Sequence, residues 1–88
     1  MKTQNSNSNF ANCTRSQSDV IKSELRIIDQ INCHLHWFEI TPLSKKSVGQ
    51  NIVVVTFNYT TVTGLTMNRK MWLGPRGRIQ YVTNNVEA

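Results

Sequence analysis

Acidic side chains are scarce in this chain. Five Asp and Glu stand against ten Lys and Arg, and none of the five lies between Ile40 and Val86. General acid-base chemistry by paired carboxylates needs two acids converging in a cleft, and only Glu39 falls within the region that reads as sheet before the C-terminus. Phosphate-cradling loops are lacking too, since neither GxxxxGK[ST] nor GxGxxG occurs. No apolar run approaches the roughly 20 residues that span a bilayer, and the start, MKTQNSNSNF, carries no secretory h-region. We therefore expect a soluble, cytoplasmic chain without a membrane partner.

Cysteine is nearly absent: Cys13 and Cys33 are the only two, too far apart for a CxxC redox or zinc pattern. We expect both as free thiols of a reducing compartment. Two sequons, Asn12-Cys13-Thr14 and Asn58-Tyr59-Thr60, matter only in a secreted chain and read as coincidence here.

What is present is unevenly placed. Eighty-eight residues allow one domain, and a chain of this size buries only about 60 to 65% of its unfolded surface, so a partner or second copy would help complete the core. Three acids, Asp19, Glu24 and Asp29, belong to one apparent helix, whereas Ile40 to Val86 holds six basic residues. Such a one-signed half projects a positive potential toward phosphate or acidic protein surface.

Residues 1–15, rich in Asn, Ser, Gln and Thr, read as a flexible polar tail, and residues 16–88 as a single domain. Ser16-x-x-Asp19 resembles a capping box, with Asp in place of the usual Glu or Gln. Val20, Ile21, Leu25, Ile28 and Ile31 then recur at intervals of three and four, with Ile27 at the stripe's edge and Glu24 among the residues facing water. Asn32 is a stop signal. From His34 the period shortens to two, predicting a strand to Thr41 closed by Pro42, a loop over 43–50, and a central strand over Asn51 to Thr63. Gly64 marks a turn, residues 65–73 alternate, Gly74-Pro75-Arg76-Gly77 fits a type I turn, and Arg78 to about Asn84 forms a last strand. The prediction is an α+β fold, one N-terminal helix packed on a four-stranded antiparallel meander sheet.

The stretches "VGQNIVVVTFNY", "TGLTMNRKMWL" and "GRIQYV", over roughly residues 48 to 82, are similar to the second half of NTF2-like (SnoaL-like) domains of the cystatin-like superfold. The resemblance implies a curved sheet that often dimerises through its outer face, and a small-molecule pocket or isomerase-type chemistry. The helices that roof the family's pocket have no counterpart in the polar tail, and none of its catalytic acids carries over to a residue here.

Of the candidate sites, His34 and His36 beside Cys33 are too few for a zinc centre, and a cysteine next to a histidine on a strand points to the opposite face. Glu39 as a lone base would need an apolar pocket. We expect no catalytic residues, no metal and no cofactor. The basic hairpin stands out: if Met67, Arg69 and Met71 share one face of a strand, then Asn68, Lys70 and Trp72 share the other, with Arg76 and Arg78 at the following turn and Lys45 and Lys46 in the loop before the central strand. A cation beside an aromatic ring suits a protein interface. It also suits single-stranded nucleic acid, although no RRM signature is present. The favoured reading is a non-enzymatic binding or assembly module for a protein partner or a second copy, using Arg69, Lys70, Trp72, Arg76, Arg78, Lys45 and Lys46. RNA or single-stranded DNA binding by the same hairpin comes second, and an NTF2-like small-molecule protein third.

Overall fold

A computed structural model of the chain describes residues 10–43 and 51–87. A short 3-10 turn, Phe10–Asn12, precedes helix α1, Arg15–Gln30, and strands β1 (His34–Pro42), β2 (Val53–Thr60), β3 (Thr66–Leu73) and β4 (Ile79–Val86). The strands form one antiparallel meander in the order β1-β2-β3-β4, with α1 packed on one side. The expected α+β class and topology are what the chain adopts.

The helix starts two residues earlier than Ser16-x-x-Asp19 predicts. Thr14 is the N-cap: its Oγ1 accepts from Gln17 N at 3.1 Å, and Gln17 Oε1 accepts from Thr14 N at 2.8 Å, a complete capping box. Tertiary contact selects this cap over the alternative, because Thr14 Oγ1 also donates to Pro75 O at 2.7 Å. At the other end Asn32, with φ +60, makes a Schellman stop in which Asn32 N donates to Asp29 O and Cys33 N to Ile28 O.

Residues 10–15, placed in the polar tail by composition, carry the 3-10 turn, the N-cap and the first helical residue. Phe10 packs against Phe38, with ring centroids 6.1 Å apart, and Lys22 Nζ lies 5.4 Å above its ring. The remainder of that expected tail, residues 1–9, lies outside the described residues.

The core lies between α1 and one sheet face: Ile21 and Ile28 meet Ile40, Val53, Val55, Phe57, Tyr59, Met71 and Leu73. Two helix positions depart from the predicted stripe. Ile31 is 54% exposed because it is already the C-cap, whereas Gln17, which the stripe does not include, is fully buried. Gln17, Ile21, Glu24 and Ile28 are spaced by four, three and four, so one face carries them all. Glu24 accordingly does not point to water: its Oε2 lies 2.9 Å from Arg69 Nε on β3. That Nε is buried without an aligned hydrogen bond, so charge rather than directional bonding holds the pair.

The turns follow their sequences. Gly77 N donates to Gly74 O at 2.9 Å and Gly77 has φ +81, the Gly-Pro-Arg-Gly turn that was expected. Gly64, with φ +92, closes the β2–β3 hairpin, which ends β2 at Thr60 rather than Thr63 because Thr61 N already bonds Leu65 O across the loop.

Candidate aromatic and basic surface

Strand alternation gives the sheet a second face that α1 does not cover. The registers stack its side chains in cross-strand rows: Thr41, Val54, Trp72 and Tyr81 in one, Glu39, Thr56, Lys70 and Thr83 in the next, and Trp37, Asn58, Asn68 and Asn85 in a third. Trp72 rests on Tyr81, with ring centroids 5.0 Å apart and planes tilted by 58°. Such pairs contribute about 0.5 to 1.5 kcal/mol beyond area burial. Trp72 is half-buried, while Tyr81 remains 60% exposed and Trp37 39%. The third row has its own tie, since Asn58 Nδ2 donates to Asn68 Oδ1 at 2.9 Å and to Glu87 Oε1 at 2.8 Å.

The residues singled out from sequence divide between two faces and an end. Lys70 and Trp72 share one face and Met67, Arg69 and Met71 the other, as the alternation predicted; the structure makes the first the open face and the second the helix side. Arg69 is therefore separated from the other cations; its side chain is 24% exposed and occupied by Glu24. Arg76 and Arg78 are exposed at the β3–β4 turn, where with Gly74, Pro75 and Gln80 they line a shallow depression. This turn follows directly on the Trp72–Tyr81 row, so Lys70, Trp72, Tyr81, Arg76 and Arg78 gather at one end of the sheet. Lys45 and Lys46 lie outside the described residues. Tyr81 had no place in the sequence-derived set, although a Tyr two residues beyond an Ile in the strand after the turn could have been paired with Trp72 once the hairpin register was drawn.

Three other features bear on chemistry. His34 and His36 sit edge to face with centroids 4.8 Å apart, and His36 Nε2 lies 2.7 Å from Thr60 Oγ1. Among the described residues no group of three His, Cys, Asp or Glu side chains is placed to hold a metal ion. Cys13 and Cys33 are free thiols. Glu39 stands on the open face beside Thr56, while the helix side is filled by Phe57, Ile21, Ile40 and Met71, each fully buried. A general base in an apolar pocket, which isomerase-type chemistry would require, is not what Glu39 provides. No helix of the described residues is long and apolar enough to cross a membrane.

No family model matches this chain, and neither the curated proteins nor the solved structures contain a match to it.

Proposed function

We propose that the protein is a non-enzymatic binding module whose open sheet face docks a partner protein, with Trp72 and Tyr81 as the apolar anchor and Lys70, Arg76 and Arg78 as the cations that meet acidic groups around it. The observation that carries this reading is the aromatic pair on a face the helix leaves bare, with three cations at the same end. Interfaces combine these ingredients in this arrangement, an aromatic centre with a charged rim. The cations steer association, and the rings supply the burial that slows dissociation.

Single-stranded nucleic acid would engage the same side chains and is the second reading. Bases stack best on free, roughly parallel faces. Here the two ring planes are tilted by 58° and do not form the parallel stack that a run of bases would extend, which favours a protein surface.

Affinity capture from the native cell with wild type and a Tyr81→Ala, Arg78→Ala variant, run side by side, tests the proposal. A protein retained by wild type and lost with the variant, both giving the same circular dichroism, is the expected result. Equal retention by both removes this face as the docking site. Binding of a fluorescent oligonucleotide that falls steeply with rising salt would move the assignment to nucleic acid.

A further inference from the structure

Among the described residues β4 is an edge strand, with no strand paired on its outward side. Glu87 N donates to Thr66 O at 2.7 Å. Antiparallel ladders alternate hydrogen-bonded and non-bonded pairs, so along this register Asn85, Thr83 and Tyr81 also bond β3, and Val82, Asn84 and Val86 turn their N–H and C=O groups away from the sheet. Natural edges are ordinarily blunted by charge, proline or bulges. β1, at the opposite edge, has two such devices, a register shift at His36 and Pro42 at its end. β4 has one, the shift at its start, opposite Trp72 and Leu73, and beyond it the stretch YVTNNV contains no charged residue, no proline and no glycine.

We propose that β4 is a self-pairing edge, along which two copies of this chain join antiparallel about a two-fold axis at Thr83 into one continuous eight-stranded sheet. Side-chain direction dictates the symmetry. Opposed residues in an antiparallel pair share a face, so the axis stands perpendicular to the sheet, both helices fall on one side and both open faces on the other. The register centred on Thr83 pairs the outward groups of Val82 with those of Asn84 of the second copy, and sets Val86 opposite Gln80 beside the register shift. Shifting the centre by one residue either way loses a pair. On the open face Thr83 meets Thr83 of the second copy, a favourable cross-strand combination, and Tyr81 meets Asn85.

Charge permits the contact in a chain of net charge +5. The strand itself is uncharged, and it is bounded by Arg78 at one end and Glu87 at the other. Antiparallel pairing brings the Arg78 end of each copy beside the Glu87 end of its partner, so opposite charges meet twice. The aromatic anchor stays uncovered, and the assembly carries two of them on one side.

Sedimentation equilibrium of the full chain, with Asn84→Pro as the probe, reads the association. Proline at this position removes an outward N–H and no bond to β3, so the monomer's sheet keeps its ladder. Wild type is expected to dimerise, and Asn84→Pro to dissociate at least about tenfold more readily, a difference of roughly 1.4 kcal/mol. A wild type that stays monomeric at its highest soluble concentration overturns the proposal, as does a folded Asn84→Pro that associates as tightly as wild type. Should that variant not fold, cysteine cross-linking decides. Thr83→Cys would place two thiols across the axis in a non-bonded pair, close enough for a disulfide, whereas Asn85→Cys would hold them several residues apart. Faster intermolecular cross-linking of Thr83→Cys than of wild type or Asn85→Cys is expected, and equal rates overturn the register. Because Tyr81 and Arg78 also border the paired edge, partner capture is run with Asn84→Pro as well, which leaves both side chains in place; sedimentation of the purified chain reads self-association with no other protein present, so either proposal can fail while the other stands.

Discussion

Gln17 places a primary amide where the helix pattern would ordinarily put an apolar side chain, and its surroundings explain why. Its Nε2 donates toward Asn51 O at 2.6 Å and Gly74 O at 2.9 Å, with Leu73 O at 3.3 Å, while Oε1 caps the helix N-terminus. One side chain thus satisfies carbonyls from the segment entering β2 and from the end of β3. Gln17→Leu should lower unfolding free energy by about 1 to 3 kcal/mol through the carbonyls left unpaired. Gln17→Glu should cost more at neutral pH, since a carboxylate would face those same oxygens, and the gap should narrow in acid as the protonated form regains a donor; urea denaturation across pH measures both. Cys13 is a second residue whose chemistry burial sets. Desolvation raises its thiol above the ordinary 9.0, and a hydrogen bond with Ser18 opposes this in part. Because the folded value lies above the unfolded one, the contribution is fully present below pH 9.0 and is lost as pH climbs through the raised value. Wild type should therefore lose stability more steeply in alkali than Cys13→Ser, as followed by chemical denaturation. Neither role was legible from sequence, for Gln17 lies outside the apolar stripe and Cys13 in a polar lead-in, so neither carries a periodic signal, and it is contacts distant in sequence that bury them.

Elements were more readable than residues, and their ends less than their middles. The helix, the four strands and the Gly-Pro-Arg-Gly turn stand where two simple periods and turn chemistry put them. The boundaries moved because ends are chosen by tertiary bonds: Thr14 became the cap by also reaching Pro75, and β4 ran on to Val86 because β3 offers a partner that far. Gly77 shows an element held from two directions. Its φ of +81 favours glycine, and a Cβ there would stand 2.8 Å from Ser16 O, a backbone atom of the helix start that cannot easily yield. Gly77→Ala should destabilise by about 1 to 3 kcal/mol, the range for a strained backbone position, and its fall in the midpoint of urea denaturation should exceed that of Gly64→Ala. Gly64 also has a positive φ, but no atom lies within 4 Å of its Cβ position, so only the backbone term applies.

At the scale of the whole molecule the question is how one helix is held on a sheet it only partly covers. Apolar contact supplies most of the docking through Ile21 and Ile28, and the Glu24–Arg69 pair adds a charged tie to β3. Removing one member leaves a largely buried charge, so Glu24→Leu alone should cost about 1 to 3 kcal/mol, below the 3 to 5 kcal/mol typical of full burial because both side chains retain some water. Glu24→Leu with Arg69→Met should recover most of that loss, and a double-mutant cycle by chemical denaturation gives the coupling. The same pair shows how far the surface could be read in advance. Alternation alone put Lys70 and Trp72 on one face and Arg69 on the other, but which face the helix would take depends on packing volume, and α1 settled on the Met67–Met71 side. By itself the sequence determined the elements, their order and the two-sided character of β3, because local periodicity and turn stereochemistry act over a few residues. Only the tertiary structure decided that Arg69 is spent on Glu24, that Trp72 rests on Tyr81, and that β4 ends the sheet with its backbone groups outward. Each of these depends on strand register and helix placement, which bring together residues far apart in the chain and are set by the packing of the whole core.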